Sequence, residues 1–260
     1  MKADKIKAVV FTGAGTTRRV AERFCRATGL AFEVFDVTPQ NASLPTFQAG
    51  DVALFAVPSY GGRVPAPARA ALERCVGDSI PAALLVTYGN RAIDDTLLEL
   101  SDVVSRGGFV PVGAAAIVAH HSLMTNVATD RPDAQDLAVV SDLARMVLER
   151  LDAVCAADAA ALGEIPGNRP YRSFGGVPFH PVCNADRCTE CGLCAASCPV
   201  GAIDPADPSK TDADRCISCT RCIEVCPRAC RDMGGGLALA AARKAFALAC
   251  AKRQESYLIH

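Results

Sequence analysis

The sequence predicts a doubly wound α/β fold: a five-stranded parallel sheet, then a small cysteine-rich unit and a C-terminal helix. Three observations lead there. Apolar runs of strand length alternate with segments of helical periodicity from residue 5 to residue 156. The run C-x2-C-x2-C-x3-C-P then occurs twice, over 188–199 and 216–227. An Ala- and Leu-rich segment follows the triple glycine Gly234-Gly235-Gly236 and reads as a helix to about residue 257.

Residues 5–12 are apolar and end in the turn Thr12-Gly13-Ala14-Gly15-Thr16-Thr17. Residues 18–27 place Val20, Ala21, Phe24 and Cys25 at helical spacing, and Gly29 stops them as a C-cap. A second strand over 31–37 leads into a polar loop over 38–50. Residues 51–57 are almost continuously apolar, as a strand buried on both faces must be. The loop Pro58-Ser59-Tyr60-Gly61-Gly62-Arg63-Val64-Pro65 enters a helix over 66–75, whose prolines sit near its start. The strand 81–88 is followed by Gly89-Asn90-Arg91. A helix over 94–106 carries Leu97, Leu98, Leu100, Val103 and Val104, and Gly107-Gly108 ends it.

The fifth strand is 109–118, the loop 120–132 opens on His120 and His121, and 133–156 is a long amphipathic helix. Strands alternating with helices form a parallel sheet with right-handed crossovers. The loops after strands one, three and four therefore share one sheet edge, where open α/β folds bind ligands.

Composition narrows the function. Half of the 260 residues are hydrophobic and the net charge is −1, a globular balance without a basic surface for nucleic acid. Aromatics make up 5% and tryptophan is absent, against single-strand stacking. The start has no apolar stretch of signal-peptide length, and the apolar runs are too short to span a bilayer, so a cytoplasmic protein is expected. Of 14 cysteines, eight lie in the two runs; Cys25, Cys75, Cys155, Cys183, Cys230 and Cys250 are scattered. Clustering of this kind points to metal ligation in a reducing compartment.

The two runs match ligand sets for two [4Fe–4S] clusters, because iron in these clusters takes soft thiolates and the fourth cysteine of each run ligates the other cluster. That assigns Cys188, Cys191, Cys194 and Cys226 to one site, and Cys216, Cys219, Cys222 and Cys198 to the other. A pair of structural zinc sites is the alternative, but zinc uses paired C-x2-C units rather than four cysteines with a trailing proline. Cys183 reads as a packed thiol, since all eight ligand positions are filled without it. Residues 204–214 read as a solvated loop.

Thr12, Gly13, Ala14, Gly15, Thr16 and Thr17 form a cradle for a phosphate at a helix N-terminus, or an ordinary Thr-capped turn. The segment lacks the lysine of a triphosphate loop, so a monophosphate suits it better. Pro58, Ser59, Tyr60, Gly61 and Gly62, with Tyr88, Gly89, Asn90 and Arg91, supply two tyrosines for a flat ring and glycines for close backbone approach. Three converging loops favour flavin mononucleotide (FMN).

With Gly167-Asn168-Arg169-Pro170-Tyr171 and both cysteine runs, these loops make the chain resemble the fused flavodoxin–ferredoxin iron-sulfur flavoproteins. The resemblance implies a flavodoxin-like FMN-binding domain over 1–160, a linker over 161–180, a bacterial-type ferredoxin domain with two [4Fe–4S] clusters over 181–233, and a C-terminal helix over 234–260. The chain departs from the flavodoxin phosphate loop Ser/Thr-x-Thr-Gly-Asn-Thr at Ala14 and Thr16. Just downstream of the second run, Cys230 and Arg231 stand where the first run is followed by Ala202 and Ile203.

The function expected is electron transfer between FMN and the clusters, interconverting two-electron and one-electron donors and serving a redox protein partner. No catalytic residue is assigned. A flavin-dependent reductase with a small-molecule substrate near His120, His121 and Tyr60 is the alternative, and a zinc-bearing interaction protein the third. A homodimer is compatible with the sequence. The linker aromatics Tyr171, Phe174 and Phe179 are expected to set how the domains pack.

Overall fold

Five hydrophobic strands sort themselves by how completely they are buried. In the computed structural model, which describes residues 3–154 and 162–259, β3 (Asp51–Pro58) and β4 (Ile80–Tyr88) are buried almost throughout. They sit at the centre of a sheet ordered β2-β1-β3-β4-β5, with β1 over Lys5–Val10, β2 over Ala31–Asp36 and β5 over Phe109–Val118. All four pairings are parallel. This is the flavodoxin-type doubly wound order. Register aligns Val10 with Asp36 and Ala56, so the carboxyl ends of the first three strands finish level.

Helices cover both faces. On one, α1 (Thr16–Thr28) and α4 (Ala134–Val154) pack Phe24, Leu143 and Val147 over Leu54, Leu85 and Ile117. On the other, α2 (Ala66–Leu72) and α3 (Thr96–Arg106) pack Leu72, Leu97 and Leu100 over Phe55 and Leu84. Gly29 ends α1 in the left-handed conformation at φ 71°, its N–H bonded to Arg26 O. The expected helix over 133–156 extends past the described residues, and Cys155 lies outside them.

The segment before the cysteine runs is bonded to the sheet domain. Asp95, almost fully buried, accepts the N–H of Asn168 at 2.8 Å and of Arg172 at 2.6 Å. Tyr171 donates to Asp102 and lies under the Arg63 guanidinium at 5.0 Å. The Phe174 ring packs so closely on Gly61 that a Cβ there would stand 2.1 Å from it.

The cysteine-rich part is bracketed by an antiparallel pair, β6 (Pro181–Cys183) and β7 (Arg231–Met233). Between them lie two single-turn helices, α5 (Leu193–Ala196) and α6 (Arg221–Glu224). The residue before each is left-handed, Gly192 at φ 73° and Thr220 at φ 65°, so the internal repeat is also a repeat of backbone conformation.

The C-terminal segment corrects the expectation of one helix to residue 257. Helix α7 spans Gly236–Ala249, and β8 (Tyr257–Ile259) then adds to β5 as a sixth, antiparallel edge strand. Side chains of the sheet domain pull the intervening chain out of helix. Asn90 donates to the carbonyls of Cys250 (2.9 Å) and Lys252 (3.0 Å) and accepts from the N–H of Gln254 (2.9 Å). Arg131 donates to Gln254 O at 3.1 Å, and Ser256 Oγ bridges the Val118 N–H to Asp136. Among the described residues, no helix is long and apolar enough to cross a membrane.

Candidate functional site

At the carboxyl edge of the sheet, the loops after β1, β3, β4 and β5 surround a cleft. Helix α1 begins there with Gly15 left-handed, no side chain capping it and no acid in its first turn. Its first N–H groups are therefore free for an anion. Thr12, wholly buried at the start of this loop, has an Oγ1 without a partner. The uncapped start of α1 fits the phosphate end of a flavin nucleotide, with Thr12 buried just behind the cleft lining. Tyr60, Gly89 and His121 line the rest of the cleft.

Of the residues predicted to bind a cofactor, Gly13, Ala14, Thr16, Thr17, Pro58, Ser59, Tyr60, Tyr88 and Gly89 line this cleft. Two hydroxyls in it are already paired: Thr17 with Thr87 at 2.7 Å, and Ser59 with Thr96 at 2.7 Å. Thr12, Gly15, Gly61, Gly62, Asn90 and Arg91 lie outside it. Gly61 and Gly62 serve packing instead, against Phe174 and Asp94. Asn90 is committed to the C-terminal segment and Arg91 to Asp94. The Tyr88 ring belongs to the core, and its hydroxyl donates to Glu255 O at 3.1 Å. Tyr60 thus remains the tyrosine with access to a ring in the cleft.

Ala119, His120, His121 and Ser122 complete the lining from the loop after β5. His121 Nδ1 accepts the N–H groups of Leu123 and Met124, each at 3.2 Å, which fixes the proton on Nε2. Burial, with His120 and Arg91 nearby, lowers its pKa to about 4, so the ring is neutral. The polar loop composition and the His-His pair were the signal available for this fourth loop.

The cysteines gather into two groups. Cys188, Cys191, Cys194 and Cys226 line one cavity, together with Cys183 and Cys230. Cys198, Cys216, Cys219 and Cys222 are mutual neighbours in the other. The fourth cysteine of each run has crossed to the other group. Backbone N–H groups point at sulfur in both: Ala202 at Cys198 (3.2 Å), Ser218 at Cys216 (3.4 Å) and Cys230 at Cys226 (3.4 Å). Such donors stabilise thiolate rather than thiol, as ligands to iron require. Both donor sets fit [4Fe–4S] clusters. Arg231, 3% exposed, lies between the groups, close to Cys222, Cys194 and Cys183, with its Nε unpaired.

The second group rests against the cleft. Tyr60 Oη donates to the Cys219 carbonyl at 3.4 Å, and a Cβ on Gly13 would stand 2.0 Å from that oxygen. Arg221, in α6, pairs with Asp36 at 2.7 Å and donates to Thr12 O at 3.4 Å. The first group is farther out, with Cys191 exposed and Leu193 beside it 47% exposed.

Residues 187–230 match the family model of the 4Fe-4S dicluster domain. No curated protein sequence matches the chain. Among solved structures, the chain is similar to a flavodoxin from Streptococcus pneumonia TIGR4 at 16% identity, over 56% of this chain and 99% of that one, with a TM-score of 0.42. It is similar to a flavodoxin from the domain Archaea at 13%, over 57% and 99%, with a TM-score of 0.41. Oxidised flavodoxin 1 from Bacillus cereus gives 12%, 56% and 98%, with a TM-score of 0.43. The chain joins a doubly wound sheet of flavodoxin-type strand order to a 4Fe-4S dicluster-type domain.

Proposed function

We propose that the chain is an electron-transfer flavoprotein of the cytoplasm. FMN would occupy the cleft of domain 1–160, and two [4Fe–4S] clusters would occupy the cysteine groups of domain 181–233. Residues 161–180 and 234–260 would be the linker and the terminal segment. Cys188, Cys191, Cys194 and Cys226 would ligate one cluster, and Cys216, Cys219, Cys222 and Cys198 the other. When bound, FMN exchanges electrons in pairs or singly, whereas a cluster passes one at a time.

The observation that carries this reading is the seating of Cys219 on Gly13 and Tyr60. The proposed inner cluster then borders the flavin cleft, while the outer one, near exposed Cys191 and Leu193, faces a redox protein partner. The uncapped α1 N-terminus supports phosphate binding, and Tyr60 supports contact with the ring. Burial raises the Tyr60 pKa well above its ordinary value, so its phenol stays a neutral donor to Cys219 O. The Arg221–Asp36 pair and the clamp of 168–172 on Asp95 hold the two parts in register.

A second reading, reduction of a small molecule over the flavin, is favoured by one observation. Neutral His121 lines the cleft with its proton on Nε2, a fixed donor for a substrate acceptor. A turnover screen with dithionite-reduced protein separates the two, because a carrier reduces only redox proteins and dyes.

The test of the main reading is anaerobic purification with iron, sulfide and flavin counted per chain. One FMN and the iron and sulfide of two clusters are expected. A colourless protein containing zinc, or one that binds no flavin on reconstitution, would refute it.

A further inference from the structure

Six cysteines surround a cavity that calls for four. A [4Fe–4S] cluster takes four thiolates, and the repeat supplies Cys188, Cys191, Cys194 and Cys226. Cys183 and Cys230 are left over, yet they line the same cavity. They are 47 residues apart in sequence, and their sulfurs are 3.7 Å apart. Both lie within 4.8 Å of the Cys188 sulfur. The backbone holds them there: Cys183 pairs with Arg231 across β6 and β7, and the next N–H, of Asn184, donates to Cys230 O at 2.7 Å. Cys230 is 7% exposed, whereas Cys183 is only partly buried.

The geometry points to a thiol–disulfide centre at Cys183 and Cys230, set against the outer cluster site and taking dithiol or disulfide compounds as substrates. Sulfurs in contact need a side-chain rotation to reach a bond of about 2.05 Å. The unequal exposure divides the roles. Cys183, within reach of solvent, attacks an external disulfide as thiolate; one sulfur of that disulfide leaves as thiol and the other forms a mixed disulfide on Cys183. Buried Cys230 then attacks the Cys183 sulfur, expelling the second thiol. The Cys183–Cys230 bond has formed, the external S–S bond has broken, and both protein thiol protons end on the released thiols. The protein pair has lost two electrons and the substrate has gained two. Cys226, whose sulfur is 3.3 Å from that of Cys230, is the competing partner.

Only the placing of this centre beside a cluster rests on the function proposed above; the thiol chemistry does not. The test equilibrates the anaerobic full-length protein with a series of reduced and oxidised dithiothreitol ratios. It is then quenched in acid, alkylated and peptide-mapped by mass spectrometry, with iron counted in parallel. A Cys183–Cys230 crosslink that appears and disappears with the ratio, at constant iron, is expected. Cys183→Ser and Cys230→Ser should each abolish it and keep the iron and the visible spectrum of the parent. If both cysteines stay alkylated at every ratio, if Cys230 pairs with Cys226 instead, or if either variant loses half the iron, the inference fails. A parent with too little iron for two clusters would refute the cluster reading, while the crosslink is still scored in the same samples.

Discussion

Tyr60 donates its hydroxyl to the carbonyl of Cys219, 159 residues away, at 3.4 Å. The bond joins the wall of the cleft to the loop holding the inner cysteine group, and Gly13 lies beneath it with room for no side chain. Gly13→Ala puts a methyl 2.0 Å from a backbone oxygen that no rotamer change can relieve. Overpacking of this kind costs about 1–3 kcal/mol. The variant should melt earlier and show slower flavin-to-cluster transfer, whereas Tyr60→Phe, losing one neutral hydrogen bond worth about 1 kcal/mol, should keep the contact and the rate.

Arg231 should set the cluster potentials. Its buried charge lies near cysteines of both groups, where the first run has Ile203 in the equivalent place. A reduced cluster carries one more negative charge, so the guanidinium favours it. A unit charge at ~6 Å in an effective dielectric of ~20 contributes up to about 3 kcal/mol. Arg231→Gln should therefore lower at least one midpoint, by on the order of 50–100 mV. Arg231→Lys should fall between. Spectroelectrochemical titration of the clusters reads both, and unchanged potentials would contradict the assignment.

Glu99 is 1% exposed and holds Arg63 through two bonds of 2.8 Å, as well as the Val64 N–H at 2.9 Å. Arg63 in turn donates to Arg172 O at 2.6 Å. Removing the carboxylate leaves the part-buried guanidinium without its partner and the buried Val64 N–H unpaired, a loss of about 1–3 kcal/mol. Denaturant unfolding of Glu99→Ala should show it, with faster proteolysis within 163–180 as that segment comes away from α3.

His121 predicts a pH dependence of stability. Its folded pKa, about 4, is below the ordinary 6.5, so the unfolded chain takes up the proton first as pH falls. Stability should decline from about pH 6.5 towards pH 4 and level off below, by at most on the order of 3 kcal/mol. His121→Asn, whose side-chain oxygen can still accept from Leu123 and Met124, should flatten that part of the profile measured by denaturant unfolding.

The hydrophobic pattern made the sheet legible. Residues 51–57 and 81–88 had to be buried on both faces, and β3 and β4 are. Cys226 lies with the first run and Cys198 with the second, a grouping that comes from two repeats 28 residues apart folding against each other, not from local spacing. Long-range contacts were not legible. Tyr88 ends β4 and Asn90 sits in the loop after it at the expected edge, yet residues 250–257 claim their side chains, a docking that no local periodicity records. Strand β8 is three residues long, too short to show alternation. Cys183 and Cys230 look like isolated thiols until β6 and β7 pair, and the only hint in the chain is that Cys230 replaces Ala202 of the first run.

In the function proposed, the seating of Cys219 on Gly13 and Tyr60 joins the cleft and both cysteine groups into one relay. Anaerobic stopped-flow tests it most directly, by reducing the flavin with a two-electron donor and following flavin and cluster absorbance together. The clusters should bleach at the rate at which the flavin reoxidises, independently of protein concentration, and more slowly in Gly13→Ala. Cluster reduction that scales with protein concentration, or that proceeds without flavin reoxidation, would contradict it.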